Sequence, residues 1–156
     1  MTRLPPSTTA MIVDDDLIDQ QWAQRTLESS GLIDRVICFL YPDEALDFLR
    51  RKQRPAIDVT FLNLNMPRLN GIDFLEVVTQ ELGAGCLGSV TILATALSHA
   101  DAARAFACSV VEHVITKPLR PEDIVLVCEP ETWRQSNAPL QLPTYLKANR
   151  LDFRMH

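Results

Sequence analysis

The sequence lacks long apolar runs, a secretory signal and a dense cluster of basic residues. No apolar run approaches the roughly 20 residues that a membrane-spanning helix needs. The opening segment MTRLPPSTTA carries one arginine but no apolar stretch of the kind that directs export. The net charge is −5, without a Lys/Arg stripe that would suit nucleic acid. We therefore expect a cytoplasmic protein whose partners are proteins, with no membrane or nucleic-acid partner.

The sequence also lacks paired cysteines. Its four cysteines form no CxxC pair, and no histidine stands at metal-ligand spacing from them. This pattern argues against a zinc site and against a disulfide framework. We expect most of the four to be buried, reduced thiols. They are Cys38, Cys86, Cys108 and Cys128.

Short apolar segments, the fifth weaker than the others, recur along the chain. Their aliphatic and β-branched residues do not alternate with polar ones, which is typical of strands buried on both faces of a parallel sheet. Apolar residues between them recur at steps of three and four, as on helices. Strand then helix, repeated five times, predicts a doubly wound α/β sheet with ligands beyond the carboxyl ends of the strands. The predicted strands cover residues 10–13, 36–40, 59–64, 90–94 and 113–116, and the helical apolar positions are Ala45, Phe48, Leu49, Leu75, Val78, Leu82, Ala103, Phe106, Ala107 and Val110.

The length of 156 residues allows one domain with tails. We place the domain at 8–129, an N-terminal tail at 1–7 and a C-terminal tail at 130–156. Prolines would interrupt any long helix in the C-terminal tail, and the tail is too short to form a DNA-binding output domain. We expect it to pack loosely on its own domain, with a partner or dimer contact as the alternative. Its apolar residues, which argue against disorder, are Trp133, Leu140, Leu142, Tyr145, Leu146, Leu151 and Phe153.

Three consecutive aspartates, Asp14, Asp15 and Asp16, follow the first predicted strand. At least two of their carboxylates must therefore meet at the carboxyl edge of the sheet. Capping of the next helix accounts for one of them, Asp16. The remaining carboxylates favour a site for a hard cation such as Mg²⁺, which prefers a few carboxylate oxygens.

Other strand ends bring polar residues to the same edge. Asn63 lies at the end of the third strand, while Thr95 and Ser98 follow the fourth. These hydroxyls suit an anion, although Ser98 also suits a helix cap. Lys117 follows the fifth strand, where a lone lysine would ordinarily be solvated. The bond from Lys117 to Pro118 has a raised chance of being cis.

The segments MIVDDD, LNLNMPRLNG, ILATALS and VITKPL, in this order, resemble the receiver domains of bacterial two-component response regulators, particularly the single-domain chemotaxis type. The resemblance covers roughly 8–129 and implies a flavodoxin-like five-stranded parallel sheet of order 2-1-3-4-5 with helices on both faces. It implies that Asp14 and Asp15 hold Mg²⁺ and that Lys117 contacts a phosphoryl group. The hydroxyl that shares this role maps onto Thr95 by counting from Lys117, or onto Ala94 by counting from Asp101, and we favour Thr95.

Two departures from the family pattern bear on function. The position of the phosphate-accepting aspartate holds Asn63, and a carboxamide is a poor nucleophile that also weakens Mg²⁺ binding. The aromatic residue that the family tends to carry three positions before the lysine is replaced by Val114. We interpret the chain as a pseudo-receiver that works without phosphorylation. The alternative is an ordinary receiver with an engineered substitution at Asn63, which Val114 argues against.

The resemblance implies output through protein binding, with no enzyme activity. The expected surface comprises the fourth helix, the fifth strand and the fifth helix, around residues 102–127, and the partner is a histidine kinase or a downstream signalling protein. A homodimer through the same surface is also plausible by resemblance. A small Mg²⁺-dependent phosphotransfer enzyme with Asp14 or Asp15 as nucleophile is the alternative from another class, but the chain offers no capping region. A flavin carrier is set aside because the aspartates would repel the phosphate.

Overall fold

The computed structural model describes residues 8–129, so both predicted tails lie outside the described residues. Strands and helices alternate five times, as predicted, and the strand ends differ from the prediction by at most two residues. A short 3-10 helix before the fourth strand was not predicted. The elements are β1 (Thr9–Val13), α1 (Leu17–Ser29), β2 (Arg35–Phe39), α2 (Pro42–Leu49), β3 (Val59–Asn63), α3 (Gly71–Leu82), the 3-10 helix (Ala84–Leu87), β4 (Ser89–Ala94), α4 (His99–Ala107), β5 (Val111–Thr116) and α5 (Pro121–Cys128).

All strand pairs are parallel, and the spatial order is β2-β1-β3-β4-β5, which confirms the predicted fold class. The chain runs from β1 outward to β2 and then returns to the other side of β1 as β3. Ligands of such sheets bind beyond the strand ends where the order reverses, which here is the crevice between β1 and β3. Val13 is the register partner of Leu62, so Asp14 and Asn63 follow side by side.

The sheet is covered on both faces. One layer of core residues joins the sheet to α2, α3 and α4, and the other joins it to α1 and α5. In β1, Met11 packs in the first layer and Ile12 in the second, because successive side chains of a strand point to opposite faces of the sheet. This double burial explains why β1, β3 and β4 read as nearly continuous apolar runs.

Two predictions about packing were wrong in detail. β2 is not buried on both faces, because it is an edge strand; Arg35 is exposed and the rest of the strand is half-buried. The buried face of α4 consists of Ala102 and Ala105 instead of the predicted Ala103 and Ala107. The helix ends before Val110, so the predicted helical spacing joined residues that do not belong to one helix.

The four cysteines are all free thiols, as expected, but only Cys128 is buried and the other three are half-buried. The prediction that most are buried was therefore wrong. Burial raises the pKa of Cys128 to about 12, and burial together with the charge of Glu28 raises the pKa of Cys38 to about 11. Both thiols are protonated at neutral pH and are poor nucleophiles there.

Gly71, the first residue of α3, lies against the end of β3. A Cβ atom at this position would lie 2.6 Å from the carbonyl oxygen of Asn63, so an alanine must displace backbone. We expect Gly71→Ala to lower the free energy of unfolding by about 1–3 kcal/mol, as overpacking does. Urea denaturation measures this change. Gly85→Ala is the matched control because its Cβ meets no atom within 4 Å, and equal losses in the two variants would contradict the account.

Candidate functional site

Each of the three consecutive aspartates has its own hydrogen-bond donors. Asp14 is 1% exposed; its Oδ1 accepts the backbone N–H of Asp16 at 3.0 Å and its Oδ2 accepts from Lys117 at 2.8 Å. Asp15 Oδ1 accepts from the side chain of Asn63. Asp16 accepts the backbone N–H groups of Ile18 and Asp19 as the N-cap of α1. Capping therefore accounts for Asp16, whereas Asp14 contacts Lys117 and Asp15 contacts Asn63.

Lys117 reaches the same edge from the end of β5 and is not solvated surface. Its side chain is 10% exposed, and its Nζ donates to Asp14 Oδ2 at 2.8 Å and to Asp19 Oδ2 at 2.9 Å. The peptide bond that follows, Lys117–Pro118, is cis. One ammonium group thus joins a carboxylate at the end of β1 to a carboxylate on the first turn of α1.

The pKa values of this pair follow from burial and charge. Burial raises the pKa of Asp14, and the hydrogen bonds from Lys117 and Asp16 offset only part of that rise. Burial lowers the pKa of Lys117, but its hydrogen bonds to Asp14 and Asp19 outweigh burial and hold the pKa above the usual value. The lysine is therefore firmly cationic at neutral pH.

Asn63 ends β3 and is 7% exposed. Its Nδ2 donates to Asp15 Oδ1 at 3.0 Å and to the backbone oxygen of Asn65 at 2.9 Å. The carboxamide thus supplies a donor to a neighbouring carboxylate. A carboxylate in the same place would repel Asp15 and could donate nothing while ionised.

The other predicted site residues differ in position and burial. Thr95 follows β4 directly and is exposed, whereas Ala94 is the buried last residue of the strand. Ser98 accepts the backbone N–H of Asp101 and caps α4, as expected if capping is its role. Val114 is fully buried in the core layer formed with α2, α3 and α4.

Sequence reasoning missed two residues of α1 that belong to the site. Asp19 holds Lys117, and the buried Gln20 donates from Nε2 to the backbone oxygen of Phe39 at 2.8 Å, between β1 and β2. A signal for Asp19 was present, because it is an acidic residue in the first turn of a helix that begins at the aspartate cluster. The family resemblance implies roles for Asp14 and Asp15 but none for Asp19.

Hydrogen bonds engage the carboxylates of Asp14 and Asp15, which the resemblance predicts as Mg²⁺ ligands. Both oxygens of Asp14 and one oxygen of Asp15 accept hydrogen bonds, from an ammonium, a backbone amide and a side-chain amide. A Mg²⁺ ion at these oxygens would compete with the ammonium of Lys117 and with the amide of Asn63. Within residues 8–129, no group of three or more histidine, cysteine, aspartate or glutamate side chains is arranged to hold a metal ion. Weak Mg²⁺ binding stays a prediction.

The sequence model of the response regulator receiver domain matches residues 10–129, which is most of the chain. The chain belongs to the response regulator receiver family. It is 30% identical over 115 residues to ARR13 of Arabidopsis thaliana, named as a two-component response regulator. The match covers 73% of this chain and 19% of ARR13, so the receiver chain spans about a fifth of that relative.

Solved structures of receivers share the fold of this chain. The chemotaxis protein CheY4 of Vibrio cholerae superimposes with a TM-score of 0.65 at 23% identity, covering 80% of this chain and 98% of CheY4. The response regulator DrrB of Thermotoga maritima gives 0.63 at 19% identity, covering 83% of this chain and 54% of DrrB. Receiver domains are signalling modules of two-component systems that interact with kinases and effectors. In the described part of this receiver, no helix is long and apolar enough to cross a membrane.

We expect Asp15→Asn to raise the melting temperature of the metal-free receiver slightly. The change removes one of several neighbouring negative charges, while the new side-chain oxygen still accepts the hydrogen bond from Asn63. The gain should stay below about 1 kcal/mol because Asp15 is only half-buried. Differential scanning calorimetry in the presence of a chelator measures it. A lower melting temperature would show that the charge of Asp15 is needed for the hydrogen bond.

Proposed function

We propose that this receiver works without phosphorylation, as a pseudo-receiver that acts by binding another protein. The observation that carries the proposal is the buried carboxamide of Asn63, whose Nδ2 donates to Asp15 at 3.0 Å. A neutral amide is a poor nucleophile toward phosphorus. At the place where the family carries its phosphate-accepting aspartate, this chain therefore carries a hydrogen-bond donor.

The other carboxylates near Asn63 are poor substitutes for the missing acceptor. Asp14 is almost fully buried, and both of its oxygens accept hydrogen bonds. Asp15 is half-buried and accepts from Asn63. Burial of Asp14 and the hydrogen bonds to both carboxylates disfavour the alternative of a small phosphotransfer enzyme with Asp14 or Asp15 as nucleophile, since a nucleophile must be accessible and hydrogen bonds to it lower its reactivity.

The proposed contact surface consists of α4, β5 and α5, which lie together at one edge of the sheet. The partner on this surface is a histidine kinase or a downstream signalling protein. A receiver that lacks the acceptor can still have two conformations whose populations such a partner shifts. Formation of a homodimer through the same surface, the cytoplasmic location and the absence of a nucleic-acid partner stay predictions.

An engineered substitution at Asn63 in an ordinary receiver remains the competing explanation. Two features support a natural pseudo-receiver. Val114 fills a buried position in the core where the family tends to carry a mobile aromatic residue. Asp19 supplies a second carboxylate to Lys117, which an exchange at position 63 alone would not introduce.

Backbone NMR tests the proposal on the native chain. We expect the amide resonances of α4, β5 and α5 in a ¹⁵N-labelled sample to keep their positions when acetyl phosphate and Mg²⁺ are added. Mg²⁺ alone is the control for effects of the cation. Shifts that spread through α4 and β5 only when the phosphodonor is present would overturn the proposal.

A further inference from the structure

The ammonium group of Lys117 is held at two points that do not include Asn63. Its Nζ lies 2.8 Å from Asp14 Oδ2 and 2.9 Å from Asp19 Oδ2. The side-chain amide of Asn63 is directed instead toward Asp15 and the backbone of Asn65. The edge of the sheet therefore contains two separate contact groups, one around the lysine and one around the asparagine.

Within each group, a donor offsets part of the negative charge of the carboxylates. Lys117 provides one positive charge between the carboxylates of Asp14 and Asp19, and the amide of Asn63 provides a donor to Asp15. A buried charge is strongly destabilising unless it is paired and hydrogen-bonded. Asp14, at 1% exposure, meets that condition through Lys117 without any bound ion.

The same helix that carries Asp19 also fixes the backbone beyond the lysine. Trp22, one turn further along α1, donates from its indole Nε1 to the backbone oxygen of Leu119 at 3.0 Å. Residues three apart on a helix share one face, so Asp19 and Trp22 together contact the loop from Lys117 to Leu119. Helix α1 thus contacts this loop at the side chain of Lys117 and at the backbone of Leu119.

We propose that Asp19 is a positioning residue that takes the place of the missing acceptor carboxylate as the second counter-charge of Lys117. It holds the ammonium against Asp14 and away from Asn63, so that the buried carboxylate of Asp14 keeps its cation without a bound metal or phosphate. This inference rests on the proposed function, because the lysine needs a substitute counter-charge only in a receiver that lacks the acceptor carboxylate. It assigns to α1 a contact that the resemblance does not imply.

Amine acylation of the native chain tests this role. The sequence contains three lysines, Lys52, Lys117 and Lys147, so mass spectrometry after brief treatment with an N-hydroxysuccinimide ester resolves each rate. Lys52 is exposed and serves as the internal reference. We expect Lys117 to react severalfold more slowly than Lys52, because its side chain is only 10% exposed and two carboxylates hold its Nζ by hydrogen bonds. Asp19→Asn should raise the rate at Lys117 severalfold, because it replaces one of the two charged contacts that hold the ammonium by a weaker neutral one.

Two further variants separate positioning from a general effect of charge. Asp16→Ser removes a nearby carboxylate, keeps a residue that caps α1 and does not touch Lys117, so the rate at Lys117 should stay as in the native chain. Asp19→Glu restores a carboxylate within reach and should restore the protection. Equal rates at Lys117 in Asp19→Asn and Asp16→Ser, or a native Lys117 as reactive as Lys52, would overturn the inference. No phosphodonor is present, so this outcome is independent of whether the chain accepts phosphate.

Discussion

Replacing Lys117 with methionine is expected to lower the free energy of unfolding by about 3 kcal/mol or more. The methionine fills a similar volume but leaves Asp14 buried without a cation, with the backbone N–H of Asp16 as its remaining hydrogen-bond donor. Removing one partner of a buried ion pair is costly because the other charge stays out of water. Urea denaturation at neutral pH measures the loss, and Lys52→Met is the control because Lys52 is exposed.

The pH dependence of this loss identifies its cause. Burial raises the pKa of Asp14 above the ordinary value of 3.8, and removal of Lys117 raises it further. A group whose pKa is raised by folding favours the folded state below its unfolded pKa, and that contribution disappears as the pH rises through the folded pKa. The deficit of Lys117→Met should therefore be small near pH 4 and largest at neutral pH. In the native chain the pKa of Lys117 is raised above 10.5, so the lysine stays charged below that pH. The ion pair with Asp14 therefore keeps its contribution to stability until the pH exceeds about 10.5.

A double variant gives a second check on the same pair. With Asp14→Asn added, no buried charge is left uncompensated, so at least half of the lost stability should return. If the double variant is no more stable than Lys117→Met, the lysine stabilises the fold through its packing and not through Asp14. If Lys117→Met itself costs no more than Lys52→Met, the pair contributes nothing and the account of the site is wrong.

Asn63→Asp is expected to change the chemistry of the receiver from no phosphoryl transfer to measurable incorporation from a small phosphodonor. The new carboxylate supplies the charged oxygen nucleophile that the amide lacks. It also faces Asp15, where Asn63 now donates a hydrogen bond, so the metal-free variant should be less stable than the native chain. Intact mass after treatment with acetyl phosphate and Mg²⁺ measures incorporation, and thermal unfolding measures the loss.

Asn65→Asp is the matched control for this variant, because it adds the same charge two residues away at an exposed position. It should acquire no phosphoryl group. A failure of Asn63→Asp to acquire one would mean that the degeneration extends beyond position 63. Asp19 is then the first residue to examine, because its carboxylate holds the lysine that the family uses to contact the phosphoryl group.

The fold was predictable because its main signals are local. Continuous apolar runs such as Met11–Val13 indicate strands that are buried on both faces. The helical spacing between these runs indicates helices that connect neighbouring strands, and such connections produce a parallel sheet. The identity of the edge strand was not predictable from its composition. β2 is as apolar as its neighbours in sequence, and its partial exposure follows only from its place in the sheet.

The site was predictable in its positions but not in its pairing. Asn63 is the last residue of β3, while Asp14 and Lys117 directly follow β1 and β5. The order of the strands brings these residues to one edge of the sheet. Which carboxylate the lysine contacts depends on distances across the crevice, which one sequence does not contain. The contact between Asp19 and Lys117 joins residues 98 positions apart, and the amide of Asn63 contacts Asp15 over 48 positions.

Intact mass of the native chain shows whether this receiver accepts phosphate. The mass is measured before and after incubation with acetyl phosphate and Mg²⁺, beside a conventional receiver under the same conditions. We expect an unchanged mass for this chain and a phosphoryl adduct on the conventional receiver. A phosphoryl adduct on the native chain would contradict this expectation and would return the protein to the ordinary phosphorelay.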